Sequence, residues 1–180
     1  LDRWTQLAEP YRTMLGHLRH ETGHWYWTVL VEPNPDRFRE LFGDERADYA
    51  EALAQHYSAP APAGWEESYV SEYATAHPWE DWAESFAHYL HIRDTLQTAA
   101  AYGMVVRGPD AAAPSDAPLD AAPRADPGGF AEIVATWLPL TYALNAVNRS
   151  MGKDDLYPFV LRGPVIEKLA FVHERVHEVT

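Results

Sequence analysis

Two histidines four positions apart bracket a glutamate in the run His20-Glu21-Thr22-Gly23-His24. On a helix, residues four apart project from one face about one turn from each other. Two imidazoles so placed can bind one Zn2+, at about 2.0–2.1 Å each. Glu21 then lies beside the cation rather than on it, where its carboxylate can take a proton from a water. Gly23 leaves room next to such a site. The plainer reading of the same five residues is a polar patch on an exposed helix face.

A catalytic zinc site needs a third protein donor and an open position. The richest donor segment runs from His77 to His91. Trp79, Trp82, Ala83, Phe86, Tyr89 and Leu90 form an apolar stripe along it. Glu80, Glu84, His88 and His91 form a second stripe at i, i+4, i+8 and i+11. A solvated helix face normally includes Lys or Arg, and this stripe has neither, so it reads as the wall of a site. Either Glu80 or Glu84 can supply the third ligand, because spacing alone does not separate them. The pattern of the first motif recurs at His173-Glu174-Arg175-Val176-His177. It lies close to the last residue, with no later segment to supply a third donor, so a solvated helix end is expected there.

The elements that must position these residues are helices. Helical spacing of Tyr11, Met14, Leu15, Leu18 and Trp25 predicts one helix from Pro10 to Val31, ended by Pro33-Asn34-Pro35. A second is expected from Asp36 to Tyr57, with a kink at Gly43-Asp44. A short one is expected over Glu66 to Ala76, and a long one opens at Pro78 and reaches about Ala101. Residues 107–129 are Pro, Ala, Asp and Gly with almost nothing to bury, which predicts a flexible linker. Two more helices follow, Phe130 to Met151 and Pro164 to Val179. No strand alternation is convincing, and the expected fold class is mainly α in a single domain over residues 1–180.

A chain of 180 residues with 47% hydrophobic residues, 7 Trp and 10 Tyr suits one sizeable, aromatic-rich core. A formal net charge of −13 argues against nucleic acid, whose phosphates need Lys and Arg. The absence of cysteine excludes thiolate ligands within the chain, so a metal must be held by His and carboxylate. No apolar run is expected to approach the length of a membrane span, and no signal peptide is visible. No membrane partner is therefore expected, and the cytoplasm is the expected compartment. The chain starts at Leu1 in helix-like sequence, which suggests that an N-terminal part has been removed.

The segments Leu18 to Trp27, Leu41 to Tyr49, His77 to Glu84, Asn148 to Gly152 and Asp155 to Phe159 together resemble a bacterial family of zinc-binding metallopeptidases. Members often carry an N-terminal zinc ribbon with cysteines, which this chain lacks. The site pattern is also similar to a more distant group, the lethal-factor and Pro-Pro endopeptidase zincins, of gluzincin type. There, H-E-x-G-H is followed by E-x-x-A/S-E, and a tyrosine stands seven residues before the first glutamate. That resemblance implies one Zn2+ per chain, with His20, His24 and Glu80 as ligands. It makes Glu84 a supporting residue, Glu21 the general base, and Tyr73 a catalytic residue that stabilises the tetrahedral intermediate. His77, His88 or His91 would orient ligands or contact a peptide or protein substrate. Zincins also carry a β-sheet before the metal helix, and here that portion is expected to be small or missing.

Two other readings use the same residues. Glu21-x-x-His24 and Glu174-x-x-His177, with Glu45 or Glu51 and Glu80 or Glu84, match the donor inventory of a dinuclear iron or manganese helical bundle. A zinc-stabilised interaction module without catalysis is the other. Asp44, Glu45, Arg46 and Asp48 read as a helix-start charge network. Asn145, Asn148 and Arg149 read as local caps and hydrogen bonds, and Tyr157-Pro158-Phe159 as a packed turn.

Overall fold

The structure, a computed structural model, describes residues 13–106, 119–120 and 129–178. Thr13 caps the first helix, α1 (Met14–Leu30), accepting a hydrogen bond from Gly16 N at 3.0 Å. The expected start at Pro10 lies outside the described residues. Where one kinked helix was expected there are two, α2 (Asp36–Phe42) and α3 (Tyr49–Ser58). Gly43 breaks them apart by adopting φ +101°, which closes α2. The Asp48 side chain then accepts from Glu51 N at 2.9 Å and starts α3. Between them Arg46 binds Asp44, and Arg39 forks onto Glu45, so the acidic cluster there is spent on local pairs.

The helix expected over Glu66 to Ala76 is replaced by two 3-10 turns, Trp65–Glu67 and Tyr73–Thr75. Gly64 enters the first in the left-handed region, and the Ser71 hydroxyl accepts from Ala74 N, competing with helical pairing. The long helix α4 (Pro78–Ala101) has the expected bounds. It is followed by an antiparallel two-residue ladder, β1 (Val105–Val106) and β2 (Leu119–Asp120), with Val105 opposite Asp120 and Val106 opposite Leu119. Apart from Leu119, Asp120 and Gly129, the linker expected at residues 107–129 lies outside the described residues beyond Val106. α5 (Phe130–Ser150) and α6 (Gly163–His177) complete a mainly α fold.

Two compact units emerge, Leu1–Leu90 with Phe159–Thr180, and His91–Pro158. In the first, Phe38, Phe42, Trp82, Phe86 and Phe171 form an aromatic core. α1 and α4 cross at Gly23, where a Cβ would sit 3.1 Å from Ala83 Cα and 3.2 Å from Phe86 Cβ. Trp82 Nε1 donates to Gly23 O at 2.8 Å and closes the same crossing. The room that Gly23 leaves is thus filled by the other helix.

α6 is held by Lys168, whose Nζ donates to Asp81 Oδ2 at 2.6 Å and to Ser68 O at 2.7 Å. Burial pushes the Asp81 carboxyl up to about 7, against the pull of Lys168. His173 corrects the expectation of a solvated helix end. It is only 7% exposed, with Nδ1 3.2 Å from Tyr89 Oη, because it follows Val165 and Leu169 on the buried face of α6. His177 and Glu174 are exposed.

In the second unit α5 buries Phe130, Ile133, Trp137 and Leu140. Asn145 clasps Tyr157 through both backbone groups, donating to its O at 2.8 Å and accepting from its N at 3.1 Å. That bond pair makes the turn at Tyr157 a packed one. By length and composition α5 could cross a membrane, an 18-residue stretch of it having a mean hydropathy of 1.2. This corrects the expectation that no apolar run approaches that length: Glu132 and Arg149 near its ends are its charged residues, and the Thr, Tyr and Asn residues between them are neutral.

Two expectations test this packing. Gly23→Val should lower stability by about 1–3 kcal/mol in urea unfolding, since the added atoms meet backbone that cannot swing away. His88 lies against the Phe159 ring at 4.5 Å, and burial holds its imidazole down to about 4. The unfolded chain takes that proton near 6.5, so stability falls as pH drops from 6.5 towards 4. His88→Gln should flatten this part of the pH–stability curve.

Candidate metal centre

α1 carries His20 and His24 one turn apart, and the first turn of α4 carries Glu80 across the Gly23 crossing. Three donor atoms meet there. His20 Nε2 and His24 Nε2 are 3.1 Å apart, His20 Nε2 and Glu80 Oε2 3.0 Å, and His24 Nε2 and Glu80 Oε2 3.5 Å. Ligands of a tetrahedral cation at about 2.0–2.1 Å stand about 3.3 Å from one another. The triangle therefore has the size that one small cation demands, and its N, N, O chemistry suits Zn2+. His20 and Glu80 are 2% and 1% exposed, whereas His24 reaches solvent.

Each carboxylate around His20 uses both oxygens. Glu80 turns Oε2 to the histidines, and its Oε1 accepts from Tyr49 Oη at 2.5 Å. Glu84 faces the other ring nitrogen, with Oε1 2.7 Å from His20 Nδ1, and its Oε2 accepts from Ser71 Oγ at 2.6 Å. Glu80 and Glu84 thus occupy opposite sides of one imidazole, and only Glu80 points into the triangle. A carboxylate on Nδ1 leaves Nε2 as the lone-pair nitrogen and fixes the ring plane.

Charge follows from this enclosure. Burial opposes an imidazolium at His20, but Glu80 and Glu84 outweigh it and raise the ring to about 9. Burial alone would raise Glu80, yet its bonds to His20, His24 and Tyr49 hold it well below the usual carboxylate range. Glu84 is lowered too, again by His20 against the cost of burial. A cation entering the triangle takes the place of a proton on His20.

The triangle opens onto a cavity of about 320 Å3 lined by Tyr49, Tyr73, Trp79 and Glu21 besides the three donors. Glu21 is half exposed at its rim, with Oε1 3.7 Å from His17 Nδ1. The Tyr73 ring lies 5.9 Å from that of His20 and 5.7 Å from that of His56. Burial, with Glu80 nearby, raises the Tyr73 hydroxyl far above its ordinary value of 10, so it stays protonated.

The other residues singled out by spacing go elsewhere. His77 caps the start of α4, accepting from Trp79 N at 3.1 Å while its Nε2 meets Ala47 O. His88 is buried against Phe159, and His91 stacks on Tyr157 in the second unit. The polar stripe of α4 is thus two glutamates of the site and two histidines of the packing. For the dinuclear reading, Glu45 is taken up by Arg39, and the metal-type group found among the described residues is His20, His24 and Glu80. Tyr49 and Ser71 were not foreseen. Tyr49 lay within a family-like segment, but nothing in the spacing connects residue 49 to residue 80.

Residues 2–175 match a family described as "putative zinc-binding metallo-peptidase". An uncharacterized protein of Mycobacterium bovis is 54% identical over 177 residues, which is 97% of this chain and 49% of the relative. Uncharacterized proteins of two Mycobacterium tuberculosis strains show the same figures. The chain thus spans about half the length of the curated relatives it matches. No solved structure matches significantly.

Loss of the supporting hydroxyl or carboxylate should weaken the metal site without abolishing it. Tyr49→Phe and Glu84→Gln should each reduce zinc affinity about 10- to 100-fold in chelator competition. His20→Ala should remove binding altogether and lower the thermal midpoint of zinc-loaded protein to that of the metal-free form.

Proposed function

The chain belongs to this family of zinc-binding metallo-peptidases, and from that premise we propose that it hydrolyses peptide bonds with one Zn2+ held by His20, His24 and Glu80. The observation that carries the reading is the donor triangle of 3.0–3.5 Å opening onto a cavity that Glu21 and Tyr73 also line. A structural zinc site is closed by four protein ligands, whereas three ligands beside a cavity suit catalysis. When bound, the zinc supplies Lewis acidity, acidifying a water towards a pKa of about 7 and polarising the scissile carbonyl.

The chain's own residues divide the remaining work. Glu21 follows His20 directly, stays out of the triangle and reaches the cavity rim. Its carboxylate takes the proton from the attacking water and passes it to the leaving amine. Tyr73, kept neutral by burial, donates its hydroxyl to the carbonyl oxygen as that oxygen gains negative charge. Glu84 and Ser71 hold the His20 ring in place, and Tyr49 holds Glu80 to one oxygen facing inward. The order H-E-T-G-H, then tyrosine, then E-x-x-A-E, with the second glutamate behind the first histidine, supports a gluzincin-type zincin site.

Glu21→Gln decides between an enzyme and a metal-stabilised module. The variant should retain one zinc per chain by elemental analysis and lose at least about 100-fold in cleavage of a mixed peptide library. An active Glu21→Gln protein would sink the general-base role. A wild-type protein that binds zinc and cleaves nothing would leave the module instead. Tyr73→Phe should lower kcat with little change in KM, the mark of an interaction made in the transition state.

A further inference from the structure

The second unit contains a pocket of its own, lined by no residue of the metal centre. The same face of α5 supplies Trp137, Thr141 and Asn145 at i, i+4 and i+8, joined by Leu144, and His91 and Thr95 from α4 and Leu156-Tyr157 complete the walls. Its volume is about 160 Å3. A cavity near 150 Å3 accepts a single benzene ring. Three of the walls are aromatic. His91 stacks on Tyr157 at 5.3 Å, and Trp137 meets both rings edge-on at 5.9 and 5.0 Å. No Asp, Glu, Lys or Arg lines it, so the pocket offers a charged ligand no counter-ion.

Two buried polar atoms of this pocket's lining residues have no hydrogen-bond partner, Trp137 Nε1 and Thr141 Oγ1. The two residues are 2% and 5% exposed. Leaving buried polar groups unbonded costs free energy, and natural proteins seldom tolerate it without a reason. The indole N–H can only donate, and the threonine hydroxyl can donate or accept. One hydroxyl on a ring meets both needs, accepting from Trp137 and exchanging a hydrogen bond with Thr141. Asn145, by contrast, already bonds Tyr157 through both its amide nitrogen and its amide oxygen, and so fixes the wall.

We propose that this pocket binds a phenol, a neutral single ring bearing one hydroxyl, held against the cluster of aromatic walls and hydrogen-bonded to Trp137 and Thr141. The same group occurs in a free phenol and in a tyrosine side chain. The binding site is independent of the peptidase reading, since it uses none of the residues of the metal centre.

The test titrates the whole chain with 4-methylphenol and follows the indole N–H resonance of Trp137 by NMR. A saturable shift is expected. Toluene, the same shape without the hydroxyl's two bonds, should bind at least about 10-fold more weakly, each neutral hydrogen bond being good for roughly 3- to 10-fold. Thr141→Val is nearly isosteric and should weaken 4-methylphenol by roughly 3- to 10-fold while leaving toluene unchanged. If that variant does not fold, the comparison of the two ligands on wild-type protein still decides. N-acetyl-tyrosine amide forms a separate arm. Its binding at the same resonance assigns a peptide source, and its failure beside a binding 4-methylphenol assigns a free one. No saturable shift with 4-methylphenol, or equal binding of toluene, overturns the proposal.

Discussion

Where α1 passes α4, Gly23 brings backbone against backbone: an added Cβ would meet Ala83 at 3.1 Å from Cα and 3.3 Å from O. The distance between the two helices at that point is what everything in the metal centre depends on. His20 and His24 stand on either side of Gly23 on one helix, and Glu80 and Glu84 on either side of Ala83 on the other. Donor atoms from the two helices meet at 3.0–3.5 Å beside this crossing. A glycine and an alanine supply that approach, and the Trp82 indole bonded to Gly23 O fixes its rotation.

Charge is organised around the crossing in two directions. Glu80 and Asp81 are consecutive at the start of α4, so a turn of the helix sends them to different neighbours. Glu80 faces the histidines and Tyr49, while Asp81 faces the buried Lys168. Two adjacent buried carboxylates are tolerable because each meets its own positive or donating partner. The Asp81–Lys168 pair also anchors α6 to the helix turn that presents Glu80, tying distant sequence to the position of a ligand. His20 is enclosed by carboxylates on both ring nitrogens, and the hydroxyls of Tyr49 and Ser71 occupy the oxygens left over. His20 and Glu80 are thereby held in one orientation before any cation arrives, which lowers the reorganisation that binding costs.

Periodicity made some of this legible. The long α4 and the two C-terminal helices are apolar enough, over enough turns, that their spacing alone locates them. The E-x-x-A-E segment exposed both glutamates as candidates. Local breaks were harder to see. The split between α2 and α3 turns on one positive φ at Gly43, and the two 3-10 turns on a serine hydroxyl that competes with helical bonding. Such events hinge on single residues and leave no periodic trace. His173 misled in the same way, because a histidine at a helix end looks solvated until another helix is seen to cover it.

What the sequence by itself determined is the inventory and its helical phase: two imidazoles one turn apart, two carboxylates one turn apart, and a glycine or an alanine directly before the second member of each pair. These follow from the fixed geometry of an α-helix, which needs no partner to place residues on a face. Which glutamate points inward, and that Tyr49 and Ser71 support the pair, was decided only by tertiary structure. Both glutamates lie on the same helical stripe, so their difference arises from the crossing of α1 over α4. It puts Glu80 at Nε2 and Glu84 at Nδ1 of a single ring. Contacts between residues 49 and 80, or 71 and 84, join segments that no local rule relates.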